Sequence, residues 1–154
     1  MDYRHMQVGW VIVAPVLLGT LVFVAMSSAG GIVFPPDAPA WVPWLVPLGL
    51  LLLLINFGTM TVEVDREAMR VRFGVGLIRK TVAMAEVVSV EVVSFPWYVG
   101  WGIRLTPQGW LYRVAGTRGV RLTLAGGKKF NVGTDEPERL AEALRSSGMV
   151  GGVR

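Results

Sequence analysis

Residues 59–73 read TMTVEVDREAMRVRF, and the alternation within this stretch decides how the rest of the chain is interpreted. Apolar side chains occupy every second position on both sides of Asp65-Arg66-Glu67, with mostly polar or charged side chains between them. Successive side chains of a β-strand point to opposite faces of a sheet, so this period of two predicts two half-buried strands. The charged triplet is the predicted turn between them.

After this β-hairpin the chain consists of further short runs of β-branched and aromatic residues, each bounded by glycine or proline. Regular short strands separated by such turns favour an antiparallel sandwich or barrel, here of about seven strands. The later predicted strands are roughly residues 78–83, 86–94, 102–107, 109–116, 119–126 and 128–133.

Residues 135–147 break this pattern and predict one amphipathic C-terminal helix. Asp135 is the expected N-cap, Pro137 suits the first helical turn, and Gly148 would end the helix. A helix of this kind can close one open end of a strongly bent sheet. Its expected apolar face consists of Leu140, Ala141 and Leu144.

Two long uncharged stretches precede the strands and predict a transmembrane hairpin at residues 1–58, followed by a β domain at 59–148. The first helix is expected at about 8–27 and would span about 28 Å, enough for the hydrocarbon core of a bilayer. The second is expected at about 42–58, with an external loop at 28–41. The helices would pack through Gly19, Gly49 and Gly58.

Basic residues orient this hairpin. The loop contains no Lys or Arg, whereas five basic residues follow the second stretch: Arg66, Arg70, Arg72, Arg79 and Lys80. The positive-inside rule therefore predicts a multi-pass protein of the cell inner membrane with both termini in the cytoplasm. Tyr3 and Trp10 would then lie at the inner interface, and Trp41 and Trp44 at the outer one.

A cleaved signal peptide is the alternative interpretation of the first apolar stretch. Ser27-Ser28-Ala29 resembles a cleavage site of small residues. The stretch is longer than the 7–15 residues of a usual signal core, which favours a retained helix. Both interpretations stay open at this point.

Charge is spread unevenly along the 154 residues. Asp37 is the one ionisable side chain between Val8 and Met60, whereas residues 61–154 hold 14 basic and 9 acidic groups. The net charge of +4 and the hydrophobic content of 53% are therefore averages over two kinds of segment. This pattern excludes a single water-soluble globule, a disordered chain and a fully embedded channel.

The sequence contains no cysteine and one histidine, His5, so it has no disulfide, thiolate nucleophile or cysteine-ligated metal.

The order of these elements resembles the bacterial pleckstrin-homology-like (PH-like) membrane proteins. The resemblance is carried by residues 97–104 (WYVGWGIR) and 119–144 (GVRLTLAGGKKFNVGTDEPERLAEAL), and it covers about 59–147. It implies an α+β membrane protein in which a small PH-like sandwich or barrel with a C-terminal helix lies on the cytoplasmic side of the membrane. It implies no common activity.

The stretch FPWYVGWGIR, residues 95–104, is the most unusual part of the predicted β domain. Trp97, Tyr98, Trp101 and Arg104 form a candidate interaction surface, in which an aromatic groove would hold a peptide or lipid tail and Arg104 an anionic group. The alternative is structural: the aromatic side chains fill the core or lie at the membrane interface, and the glycines permit a tight bend.

Basic residues of the later strands and turns are candidate contacts for anionic lipid headgroups, since the anchor would hold them near the membrane. They are Arg113, Arg118, Arg121, Lys128 and Lys129. The alternative is a solvated face. The basic excess of the domain is too small to favour nucleic acid.

The sequence predicts no catalytic residue, cofactor or metal site. The serines have no histidine base in the β domain, and Glu63, Asp65 and Glu67 are expected on the solvent face of an edge hairpin. We therefore expect a non-catalytic interaction or scaffolding module at the inner leaflet, with a protein partner or self-association. The alternative is an anionic-lipid-binding module.

Overall fold

The computed structural model of the protein describes residues 3–147, in which nine strands form two sheets and three α-helices flank them. The helices are α1 (Trp10–Ser28), α2 (Leu45–Phe57) and α3 (Pro137–Ser146). The strands are β1 (Tyr3–Val8), β2 (Thr59–Val64), β3 (Ala68–Phe73), β4 (Ile78–Ala83), β5 (Val87–Ser94), β6 (Gly102–Thr106), β7 (Gly109–Arg113), β8 (Arg118–Leu124) and β9 (Lys129–Gly133).

The two sheets differ in topology. The first has the order β1-β2-β3-β4 and is antiparallel throughout. The second has the order β5-β8-β9-β7-β6, and its β7–β9 pair is parallel. An α+β fold with a C-terminal helix is therefore confirmed, but the second sheet is mixed rather than purely antiparallel. Eight strands follow α2, and each coincides with one of the predicted strand segments, although the expected total was about seven.

Alternation fixes the core as expected. Met60, Val62 and Val64 of β2 are buried, whereas the residues between them are half-exposed. The two sheets and α3 enclose one apolar cluster, because α3 packs against β5 and β8 through its predicted face. The cluster includes Met60, Val62, Val71, Phe73, Val120, Leu122, Phe130, Val132, Leu140, Ala141 and Leu144.

The N-terminal strand β1 was not predicted. Tyr3–Val8 pairs with β2 along six residues, from Tyr3↔Val64 to Val8↔Thr59, and its Gln7 side chain is buried. The segment has few β-branched residues, so its sequence gives little strand signal. Residues that the sequence analysis grouped with the hairpin thus belong to the first sheet, and β2 is an interior strand rather than an edge strand.

The pair of apolar helices leaves the sheet through these two strands. Gly9 follows β1 directly, and Gly58 directly precedes β2. The Gly9 N–H donates to the Gly58 carbonyl at 2.8 Å. Within the described residues, α1 is the one helix long and apolar enough to cross a membrane, since α2 and the 3-10 turn before it cover only Val42–Phe57. Two spanning helices are therefore not established by length and composition.

Some details of the helices also differ from expectation. A Cβ at Gly58 would lie 3.4 Å from Val13 Cγ2, so this glycine does lie against α1, but Gly19 and Gly49 have no described atom close enough to serve as packing positions. The N-cap of α3 is Glu136, not Asp135, and its side chain makes no capping bond. The predicted helix end at Gly148 lies outside the described residues.

Candidate binding groove

The outer face of the second sheet carries one row of side chains across all five strands. Each member is the register partner of the next, and each alternates along its strand with a residue that faces the core. From β5 to β6 the row is Glu91, Arg121, Asn131, Leu111 and Arg104. Two arginines predicted as separate candidates thus lie on one face.

The segment before β6 covers part of this face. Phe95 is buried, and its ring lies so close to Gly119 that a Cβ there would be 2.8 Å from Phe95 Cε2. Leu111 is buried beneath the same face although it is not part of the main core cluster. The structural interpretation of the aromatic stretch therefore holds for Phe95.

Arg113, at the end of β7, is fully buried at 0% exposure. Its Nε donates to the Gly116 carbonyl at 2.7 Å, and its guanidinium carbon lies 4.8 Å from the centre of the Trp101 ring. Burial lowers the pKa of this guanidinium because the charged form loses its hydration. The prediction that Arg113 contacts lipid headgroups is therefore wrong, and Trp101 belongs to the packing around it.

A groove of about 580 Å³ opens between this covering segment and the β6–β7 hairpin. Arg104 reaches over Gly100, where a Cβ would lie 3.0 Å from Arg104 Cζ, and Gly100 has a φ of +77°. Tyr98 is exposed at the rim, whereas Trp97 is exposed but does not line the groove. The lining residues are Ser94, Phe95, Pro96, Tyr98, Val99, Arg104, Leu105, Thr106, Pro107, Gln108 and Arg121.

Asn131 holds the second arginine of the groove. This buried side chain donates from Nδ2 to the carbonyls of Gln108 and Trp110, at 3.0 and 3.1 Å. Its Oδ1 accepts from Arg121 Nε at 2.8 Å, which leaves the terminal nitrogens of that guanidinium for other partners. Sequence reasoning missed Asn131, although a polar residue between Phe130 and Val132 of a buried strand is a signal that could have found it.

The groove has a positive character. No carboxylate among residues 3–147 lines it. Glu91 is the cross-strand neighbour of Arg121, but no ion pair joins the two in the described chain. Elsewhere, Arg118 is ion-paired with Glu138, so this predicted headgroup contact is partly neutralised.

Lys128 and Lys129 are the remaining candidates for headgroup contact. Both are exposed where the β8–β9 connection enters β9. The turn between β6 and β7 lies beside them, because a Cβ at Gly109 would be 3.2 Å from Lys129 Cβ.

Two acidic residues of the β2–β3 hairpin make ion pairs and hydrogen bonds that stabilise the fold. Glu63 lies between Arg4 and Arg72, at 3.4 and 3.3 Å. Asp65 accepts from the backbone N–H groups of Ala68 and Glu67, which lowers the pKa of its carboxyl. Within residues 3–147 no three His, Asp or Glu side chains are grouped closely enough to hold a metal ion.

The groove therefore combines two arginines positioned by the fold, an aromatic rim and several apolar lining residues, an arrangement suited to binding an anionic ligand that also has apolar surface. Comparison with known proteins adds no family to this description: no protein-family model matches the chain, and no curated protein matches it.

Proposed function

We propose that the protein is a membrane-anchored, non-catalytic binding module of the PH-like kind, whose groove receives an acidic, partly apolar segment of a protein partner. The observation that carries this proposal is that Arg104 and Arg121 flank one groove without a lining carboxylate among the described residues. The anchor consists of α1 and α2 as two spans of the inner membrane, with both termini in the cytoplasm.

The pairing of β1 with β2 supports a two-span anchor. Val8 and Thr59 are register partners, so the chain must leave the sheet and return to it at the same point. If α1 crosses the bilayer, the chain has to cross again before Thr59, and α2 is the apolar segment available. Trp41 and Trp44, exposed before α2, suit the far interface.

The same pairing favours a retained first helix. Cleavage near Ala29 would remove β1, and with it the hydrogen bond from buried Gln7 Nε2 to the Gly133 carbonyl at 3.1 Å. The core strand β2 would then be exposed along its edge. The basic residues that follow α2 favour the cytoplasmic side for the sandwich, by the positive-inside rule.

The spacing of the two arginines favours an extended acidic segment over one compact anion. Arg104 and Arg121 stand on strands three places apart, which corresponds to about 14 Å between their backbones. Each guanidinium can bind a carboxylate through two parallel hydrogen bonds. Phe95, Val99 and Leu105 add apolar lining to the same groove.

Selection from a random library of displayed short peptides tests this proposal without knowledge of the partner. The full chain is held in nanodiscs of phosphatidylcholine, a zwitterionic lipid. We expect recovered peptides to be enriched in Asp and Glu interspersed with apolar residues, and their affinity to fall by about tenfold or more in Arg104→Ala/Arg121→Ala.

A double variant of equal charge change provides the control. Arg66→Ala/Lys80→Ala removes two exposed basic residues that do not line the groove, and it should retain the binding. Equal loss in both double variants would mean that only net charge matters. Recovery of peptides without acidic enrichment would contradict the proposal.

Anionic lipid is a second candidate ligand, favoured by the adjacent exposed Lys128 and Lys129. If this function is the correct one, the full chain should retain phosphatidylglycerol selectively during delipidation. Lys128→Gln/Lys129→Gln should then abolish the selectivity, whereas the groove variant should leave it unchanged.

A further inference from the structure

The turn between β3 and β4 lies against the end of α2. A Cβ at Gly74 would be 1.9 Å from the Ile55 carbonyl oxygen and 2.7 Å from Asn56 Cα, so only glycine fits at this approach. Gly74 also has a φ of +48°. The turn therefore reaches past Gly58, the residue that follows the end of α2, to the level of residues within the helix.

Two large apolar side chains project from this turn. Val75 is 68% exposed and Leu77 is 74% exposed. Single exposed apolar residues are ordinary on protein surfaces. Here the pair flanks a turn that approaches α2 at Ile55, a residue that is itself 41% exposed.

The turn is held firmly by its surroundings. The Gly74 N–H donates to the Thr59 carbonyl at 2.9 Å, and the Gly76 N–H donates to the Phe73 carbonyl at 2.7 Å. The Phe73 ring lies 6.1 Å from the Phe57 ring, which ties the end of β3 to the last residue of α2. The position of this turn beside the end of α2 is therefore a fixed feature of the fold.

We infer that the β3–β4 turn inserts Val75 and Leu77 into the cytoplasmic leaflet beside α2, as a third contact of the sandwich with the membrane. Exposed Arg79 and Lys80 follow immediately in β4, where their cationic groups can meet anionic headgroups while the apolar tips enter the acyl region. This third contact restricts the tilt of the sandwich relative to the membrane further than its packed junction with the helices does, and with it the direction in which the groove faces.

This inference rests on the proposed anchor, so the experiment reports on the two separately. Because the sequence has no cysteine, single cysteines can be introduced into the full chain and labelled with an environment-sensitive fluorophore. The labelled positions are Leu18→Cys in the middle of α1, Leu77→Cys and Val75→Cys in the turn, and Arg66→Cys. Arg66 lies in the turn at the opposite end of β3, about 20 Å away.

The labelled proteins are reconstituted in vesicles of phosphatidylcholine and phosphatidylglycerol, with or without lipids that carry a nitroxide near the headgroup or deep in the chain. We expect deep quenching at Leu18→Cys. At Leu77→Cys and Val75→Cys the shallow nitroxide should quench at least about threefold more than at Arg66→Cys.

The outcomes separate the two claims. Quenching at Leu18→Cys without excess quenching at either turn position overturns the inference and leaves the anchor intact. Absence of quenching at Leu18→Cys overturns the anchor itself. Since Val75 and Leu77 are exposed, both variants should fold, and far-UV circular dichroism verifies this for each.

Discussion

The helical pair and the sandwich use the same apolar residue types in opposite surroundings. Leu122 of β8 is 0% exposed and Leu51 of α2 is 53% exposed. No residue of α1 or α2 is buried within the described chain, whereas the core strands bury nearly every second residue. Apolar surface of this extent needs a partner. The sandwich supplies its own partner, whereas in the proposed anchor lipid supplies the partner of the helices.

The two regions are nevertheless continuous. Ring contacts run from Phe57 at the end of α2 to Phe73, Tyr112 and Phe130, with centroid separations of 6.1, 5.9 and 4.9 Å. Together with the bond between Gly9 and Gly58, these contacts connect the helices to both sheets. The sandwich is thus attached to the helices through a packed junction rather than a loose linker.

A matched pair of leucine truncations should reveal the contrast most strongly. Leu122→Ala leaves a cavity between the sheets and should lower the free energy of unfolding of the sandwich by about 2–5 kcal/mol. Leu51→Ala removes the same atoms from an exposed position of α2, which would face lipid in the proposed anchor, and should change this free energy by less than about 0.5 kcal/mol. Urea unfolding of both variants in the same detergent, followed by near-UV circular dichroism, measures the difference.

Equal destabilisation by the two truncations would contradict the difference in environment between α2 and the sandwich core. It would mean that α2 is buried against protein in the native assembly, for example in a dimer. Repeating the measurement at several protein concentrations separates these cases, because only a dimer shows a concentration-dependent midpoint.

The strands that follow α2 could be predicted from the sequence, most clearly those that alternate strictly, whereas β1 could not. β2 and β3 carry a clean period of two, and Leu140, Ala141 and Leu144 mark the buried face of α3. β1 was not predicted because its inward Gln7 is polar and its hydrogen-bond partner, Gly133, is 126 residues away in the sequence. The parallel pairing of β7 with β9 is equally nonlocal and has no signature in either strand.

The candidate groove was predictable in part for the same reason. Tyr98 and Arg104 are conspicuous in the sequence because aromatic residues and glycines surround them. Arg121 joins them through the strand order of the second sheet. Arg113 is not exposed because residues of two connections, β5–β6 and β7–β8, cover it. Neither fact is local to the sequence around those arginines.

A matched pair of arginine substitutions should separate the packed part of the aromatic region from the groove. Arg113→Met removes the donor to the Gly116 carbonyl and the stack on Trp101, and should destabilise the sandwich by about 1–3 kcal/mol. Arg104→Met, at an exposed position, should leave stability nearly unchanged and weaken only the binding of acidic peptides. Urea unfolding and peptide affinity, measured on both variants, distinguish the two roles. A stable Arg113→Met protein would show that the buried cation is dispensable for folding.

The smallest expected effect concerns Tyr3. This residue is close to α1 in the sequence but remote from the helices in the structure. The prediction that Tyr3 lies at the inner membrane interface is wrong. Its partner in the sheet is Val64, at the end of β2 remote from the helices, and it packs against the core cluster. Burial raises the pKa of its phenol to about 12, with the Glu136 carboxylate adding to the shift.

A phenol whose pKa is higher in the folded than in the unfolded state stabilises the fold fully below pH 10, and this stabilisation is lost as pH rises from 10 towards 12. Tyr3→Phe cannot ionise, so wild type should lose stability relative to this variant across that window and keep a constant difference from it below pH 10. Thermal unfolding of both proteins at several alkaline pH values measures this. A stability difference between the two proteins that does not depend on pH would mean that Tyr3 is solvated, as in a free N-terminal tail. The pairing of β1 with β2 would then be weaker than the structure implies.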